Sequence, residues 1–213
     1  MTGLVLKDFM LMKKNALYIA VVMLFFAGIY GSMGSDSFVS FFVSVMVVSI
    51  LISTMSYDEF YHWERYAAVL PLSRRQIVGA KYLTALLFFA IGGLYTMAID
   101  GASLLLRGGS LSGEALLVMV LAPLTGMVGA AVTLPFYYRF GAQRSRTAML
   151  VFYGVPSLLL VVVAWFAPGL LKGGLEVSLT PGGFLAGCAL FTAAALGLSF
   201  LLSVRILEKK EIK

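Results

Sequence analysis

The sequence predicts an all-α, polytopic membrane protein: six transmembrane helices, an interfacial helix at the N-terminus and a cytoplasmic helix between spans 2 and 3. Three observations lead there. Of 213 residues, 61% are hydrophobic and only 12% are charged, against roughly 45–50% and about 25% in a soluble domain. The apolar residues come in runs close to the roughly 20 that cross a hydrocarbon core. Lysine and arginine divide very unequally among the segments between those runs, the mark of a fixed orientation in a membrane. Residues 1–213 read as a single transmembrane domain.

Residues 2–14 place Leu4, Val5, Phe9 and Met12 at helical spacing, with Lys7, Asp8 and Lys14 elsewhere. That pattern predicts a helix with its apolar side in lipid and its lysines among headgroups, Lys13 and Lys14 acting as anchors. The long apolar run that starts only at Ala16 does not fit a cleavable signal peptide. Spans follow at about 16–33, 38–55, 79–106, 114–138, 147–166 and 183–204. Gly34 to Ser37 and Arg107 to Gly113 are polar turns, and 167–182 is the longest loop on the far side. Span 3, at about 42 Å by a 1.5 Å rise, exceeds the hydrocarbon core, so it is tilted or its first turns stand in the cytosol. Pro123 and Pro135 lie inside span 4, where a membrane helix tolerates them at the cost of a freed carbonyl and a kink.

One side of this arrangement receives Lys7, Lys13, Lys14, Arg65, Arg74, Arg75, Lys81, Arg139, Arg144, Arg146, Arg205, Lys209, Lys210 and Lys213; the other receives Arg107 and Lys172. Both termini are therefore expected in the cytoplasm. The same bias accounts for the net charge of +6 without nucleic acid. Tyr57, Trp63, Tyr82, Tyr137, Tyr138 and Trp165 fall at span ends and read as an aromatic belt. Small residues four apart, Gly126 with Ala130 and Ala189 with Ala193 and Gly197, read as packing faces within or between subunits.

Catalytic chemistry is sparse. There is no G-x-x-x-x-G-K-[ST] loop to hold nucleotide phosphates and no H-E-x-x-H zinc motif, and G-x-S-x-G is missing. The only cysteine, Cys188, lies in an apolar run, which leaves no disulfide framework and no metal cluster. Apart from Lys81 and Glu114 at the starts of spans 3 and 4, Asp100 is the one charged residue inside a span. Such a carboxylate is a functional candidate as a proton relay or a contact for a cationic substrate. It also stands seven residues before Arg107, on the same helix face, so an ion pair near the outer interface explains it equally well.

The longest polar stretch, Tyr57 to Lys81, holds the only histidine. Two capping boxes punctuate it, Ser56 to Glu59 and Ser73 to Gln76. Pro71 forces Leu70 out of the helical region and stops the first helix. This predicts a short helix at 57–69, a sharp turn, and a second helix that begins in the cytosol and continues as span 3. On the first helix Phe60, Trp63, Ala67 and Leu70 share one side. Asp58, His62 and Arg65 occupy the other, with Glu59 and Glu64 at the borders.

Asp58, Glu59, Trp63, Glu64, Leu70, Pro71, Ser73, Arg74, Ile77, Val78, Lys81 and Tyr82 together form a pattern that resembles the segment between spans 2 and 3 of bacterial type-2 ABC exporter permeases, closest to the small six-span permeases of phenol-soluble modulin exporters. The predicted topology is similar along the whole chain, although the short, Gly/Pro-rich 167–182 departs from the re-entrant helices usual there. The resemblance implies that 57–69 is a coupling helix, with Asp58, Glu59, His62, Glu64 and Arg65 toward an ATPase and Phe60, Trp63, Leu70 and Pro71 holding it to the bundle. It implies two ATPase subunits that bind ATP and Mg, no cofactor in this chain, and a second copy or a homologous permease beside it. It also implies membrane lipid around it, a bacterial cytoplasmic membrane, and an amphipathic or hydrophobic peptide cargo such as a phenol-soluble modulin or an antimicrobial peptide. From the residues alone, a secondary carrier or channel working through Asp100 without an ATPase, or a non-transporting scaffold or sensor, stays open.

Overall fold

The computed structural model describes residues 2–13, 15–33, 36–107, 113–166 and 181–209. The predicted turn at Gly34 and Ser35, the predicted loop from Gly108 to Ser112, Lys14, residues 167–180 of the far-side loop and the tail from Lys210 lie outside them. The described residues form eight helices and no strand: α1 (Thr2–Lys13), α2 (Ala16–Met33), α3 (Asp36–Phe60), α4 (Trp63–Val69), α5 (Arg74–Arg107), α6 (Gly113–Phe140), α7 (Ala142–Phe166) and α8 (Pro181–Lys209). Four stretches are long and apolar enough to cross a membrane: Val39–Phe60, Arg74–Ile99, Leu117–Phe140 and Gly182–Lys209. A fifth is reached if α1 and the start of α2, which meet at a 68° bend, count as one broken span. The protein is a multi-pass membrane protein.

Helix α6 stands at the centre, packed against α3, α5, α7 and α8. Small residues let it approach its neighbours. A Cβ on Gly126 would lie 2.4 Å from the Phe89 ring of α5 and 3.1 Å from Ser44 Cβ of α3. Ala130 is fully buried. In lipid the apolar effect does not hold helices together, so close backbone approach and interhelical hydrogen bonds carry the association. Ser44 Oγ donates to the Ala122 carbonyl at 2.8 Å, joining α3 to α6. Pro135 cannot donate to the Ala131 carbonyl one turn earlier; Ser199 of α8 donates to it instead, at 2.6 Å. The second stripe behaves differently. Ala189, Ala193 and Gly197 are exposed on α8.

Several expectations change. Helix α1 does not lie apolar side down in lipid: it packs on α3 and α5. Leu4, Val5 and Met12 are buried against protein, while Leu6 and Met10 face outward. Asp8, off the apolar positions of the helix, is buried too. The aromatic belt is largely interior. Tyr82, Tyr137 and Tyr138 are buried, and the Tyr82 hydroxyl sits between Ser199 and Ser203 of α8 at 2.5 and 2.9 Å. A tyrosine at a span end reads alike whether it faces headgroups or a neighbouring helix; Tyr82 is turned inward by the two serines of α8.

The polar stretch also folds differently in its first half. Helix α3 runs on to Phe60, so Ser56 is not an N-cap. Its hydroxyl donates back to the Ile52 carbonyl at 3.0 Å, inside the helix. The predicted 57–69 helix is thus broken at Tyr61 and His62, with His62 at φ 52. In the second half the capping box forms as expected. The Ser73 N–H donates to Gln76 Oε1 at 3.0 Å and the Gln76 N–H to Ser73 Oγ at 3.2 Å. Helix α5 starts there at Arg74 and continues as one helix of 34 residues to Arg107. Ser73→Ala should cost about 1 kcal/mol of stability, read as a lowered unfolding midpoint in mild detergent. An unchanged midpoint would mean that packing alone sets the start of α5.

Candidate functional site

At the end of the bundle where α3 stops and α5 begins, four charged side chains close a ring, three of them buried and Lys7 partly exposed. Asp58 follows Thr54 by one turn of α3, which turns it toward α1 and α5 rather than to solvent. Lys81 of α5 donates to Asp58 at 2.6 Å and to Asp8 of α1 at 2.8 Å. Lys7 of α1 pairs with Asp58 and lies 3.4 Å from Asp8. Thr84 Oγ1 donates to Asp8 at 3.3 Å, and Lys81 reaches Thr54 at 3.4 Å. Asp8, Asp58 and Lys81 are only 2%, 4% and 6% exposed. Two ammonium groups against two carboxylates leave the ring neutral, the condition under which charges can stay buried.

Lys7 also reaches the fourth element. Its ammonium stands 4.2 Å from the centre of the Trp63 ring at the start of α4, a cation–π contact. Trp63 and Leu72 pack on a small cluster of Leu4 and Val5 from α1 and Ala80 from α5. Beside the ring is a cavity of about 170 Å³, lined among others by Trp63, Arg74, Tyr137, Tyr138 and Leu207. The buried Tyr138 hydroxyl has no hydrogen-bond partner among the described residues.

Glu59 points the other way, to the corner between α6 and α7. Gly141 turns that corner at φ 87, and the Glu59 carboxylate lies 3.1 Å from where a Cβ would stand on it. The Ala142 N–H, the first of α7, donates to Glu59 at 2.8 Å. A carboxylate here also meets the positive end of the α7 dipole. Arg146 of α7 donates to Ser56 Oγ at 3.3 Å, so the first turn of α7 is tied to the end of α3 twice.

The division of the segment into a bundle side and a solvent side needs correction. Asp58, expected outside, is buried, while Phe60 and Leu70, expected inside, are 74% and 43% exposed. The break at His62 is the reason, because the periodicity that put Phe60, Trp63 and Leu70 on one side assumed an unbroken helix. Trp63 and Ala67 do face inward. His62, Arg65 and Pro71 are exposed. Glu64 lies on α4, and Asp100 and Arg107 lie on α5; the side chains of these three are outside the described residues. Tyr61, Tyr66 and Val69 join Phe60 and Leu70 to make an exposed apolar corner.

Lys7, Asp8 and Lys81 were not candidates from sequence. The signal available was the i, i+4 pair Thr54 and Asp58 with the i, i+3 pair Lys81 and Thr84, polar residues sharing one face at the ends of otherwise apolar runs. Among the described residues no group of three or more His, Cys, Asp or Glu could hold a metal ion.

A second concavity of about 580 Å³ lies between α3, α6, α7 and α8, walled by Phe41, Leu124, Phe152, Phe184 and Phe191. Comparison with protein families finds the model described as ABC-2 family transporter protein matching residues 3–208. Neither the curated proteins nor the solved structures contain a match to the chain.

Proposed function

Since the chain belongs to the ABC-2 transporter family, a family of membrane permeases that work with ABC ATPases, we propose that it is the permease subunit of an ATP-driven exporter and that the α3–α4 corner is where the ATPase docks. The observation that carries the docking assignment is the corner itself. Phe60, Tyr61, Tyr66, Val69 and Leu70 are large, apolar and exposed, in the first half of the chain's longest polar segment, with His62 and Arg65 exposed among them. In the proposed topology this end is cytosolic, all six long helices α2, α3, α5, α6, α7 and α8 cross a bacterial plasma membrane, and both termini lie inside. A groove on a soluble ATPase offers such side chains a partner that lipid headgroups do not, and a contiguous apolar patch of this kind marks an interaction surface.

The cargo on this reading is an amphipathic or hydrophobic peptide. The supporting observation is the apolar concavity between α3, α6, α7 and α8, which suits an apolar chain better than an ion. Two ATPase subunits and two permeases, identical or homologous, complete the assembly, and ATP with Mg belongs to the ATPase.

The test is co-purification with the ATPase encoded beside the permease. Tyr66→Glu combined with Val69→Glu should abolish capture while leaving a monodisperse permease, because both side chains are exposed and nothing in the bundle rests on them. Reversing Glu59 would be a poorer test, since its carboxylate caps α7. Capture of the ATPase by the Tyr66→Glu/Val69→Glu chain at the native level would refute the docking assignment.

A further inference from the structure

We propose that helix α1 is a working part of the coupling path and that Lys7 is its strut, the side chain through which displacement of α4 reaches α3 and α5. The inference rests on the reading of α4 as the ATPase-facing element and adds to it how that element is connected.

The covalent route from α4 into the bundle is soft at both ends. Toward α3 it passes through Tyr61 and His62, where the helix is broken and His62 takes a left-handed conformation. Toward α5 it passes through Leu70 and Pro71, where the chain is extended, with Leu70 at φ −78 and ψ 147. A push on α4 would be absorbed at these two corners unless something else carried it. What bridges them is α1. The Trp63 indole rests on Leu4, Val5 and Ala80, and the Lys7 ammonium faces the Trp63 ring at 4.2 Å while pairing with Asp58 of α3.

From Lys7 onward the connection is stiff. Each lysine of the ring touches both carboxylates, and the four groups come from α1, α3 and α5. Asp8, Asp58 and Lys81 are buried, so pulling one charge from the ring leaves a buried ion short of its partner, which costs far more than moving the three helices together. The ends of α1, α3 and α5 therefore travel as one body. The cavity on the α6 side, walled by Tyr137, Tyr138 and Leu207, leaves that body space to move against α6 and α8. Helix α1, which composition alone makes a membrane anchor, becomes the crossbar between the docking corner and two spans.

The variant that tests this removes the strut without unbalancing the charge: Lys7→Met with Asp58→Asn leaves Asp8 and Lys81 as a neutral pair. Lys7→Arg, which keeps both the charge and the cation–π contact, is the conservative control. In the full-length permease alone, with Cys188→Ser, spin labels at Met10→Cys on α1 and Val69→Cys on α4 read the linkage directly, both positions being exposed. A single narrow distance distribution is expected with Lys7 or Lys7→Arg, and a broad one with Lys7→Met/Asp58→Asn. A broad distribution in the parent, or a narrow one in the pair variant, overturns the proposal.

In the unlabelled complex in proteoliposomes, the pair variant should still bind its ATPase and hydrolyse ATP, yet lose export of a fluorescent amphipathic helical peptide that the native complex and Lys7→Arg move. Native export by the pair variant also overturns the strut, as does release of the ATPase, which would make the ring merely structural. A native chain that captures no ATPase instead removes the exporter reading, and the spin-label result then stands as a statement about the permease alone.

Discussion

Lys81→Met is expected to be among the most destabilising single substitutions in this chain, by about 3–5 kcal/mol. Methionine keeps most of the stem, so little packing is lost. The charge is what goes. Lys81 donates to Asp58 at 2.6 Å and to Asp8 at 2.8 Å. Without it Lys7 alone faces two buried carboxylates, and the site carries a net negative charge. Against a total stability of roughly 5–15 kcal/mol, such a loss should show as aggregation on extraction or a collapsed unfolding midpoint. The contribution of charge is separable from that of shape. Lys81→Met with Asp8→Asn leaves Lys7 and Asp58 as a neutral pair, and most of the lost stability should return. Equal instability of the single and double variants would mean that lysine packing, not charge balance, holds α1, α3 and α5 together.

The second large effect is expected at Gly126. Valine there would put a Cβ 2.4 Å from the Phe89 ring and 3.1 Å from Ser44 Cβ. No pair of non-bonded carbon atoms rests at 2.4 Å, and Phe89 is only 2% exposed, so its ring has little room to swing. The helices α5 and α6 must part, and the Ser44 to Ala122 hydrogen bond across α3 and α6 lengthens with them. Overpacking of this kind costs about 1–3 kcal/mol, occasionally more. Gly93 is the internal control. It lies on α5, and a Cβ there meets nothing within 4 Å, so Gly93→Ala should be neutral or stabilising by up to about 1 kcal/mol through helix propensity. A thermal unfolding series of Gly126→Val, Gly126→Ala and Gly93→Ala would show the order. A stable Gly126→Val would contradict the close approach of α6.

What could be read in advance was what one dimension encodes. Runs of apolar residues located six long helices, because length and composition alone decide that. The Ser73 to Gln76 box located the start of α5, because both of its hydrogen bonds are local. The Ser56 box has the same spacing, with Glu59 in place of the glutamine, and fails, because nothing local distinguishes a serine that starts a helix from one in the last turns of a helix that continues. Asp58 was assigned to the wrong side for a related reason. Periodicity says which residues share a face, but a charged face turns to solvent only if no opposite charge waits inside. Its partners Lys7 and Lys81 lie 51 positions before it and 23 after it in the numbering, and each looks like an ordinary interfacial lysine. The interior tyrosines went unread likewise, since the serines that hold Tyr82 lie more than a hundred residues downstream.

The contact made possible by Pro135 bears on how the chain is assembled in the bilayer. Helix α8 touches the rest of the bundle over a narrow strip, with 11% of its most apolar window buried. Apolar matching cannot choose its rotation or its depth, because lipid tails are as apolar as its neighbours. The open Ala131 carbonyl can. Ser199 spends its single hydroxyl proton on that oxygen, so Tyr82 must donate to Ser199 and accept from Ser203. Three helices are then joined by hydrogen bonds whose direction is fixed. A slip of α8 by one residue turns both serines about 100° away and strands a tyrosine and a carbonyl in hydrocarbon. A proline that breaks one helix's own ladder thereby acts as an address for another, telling the last helix of the described chain at which height and on which face to stop.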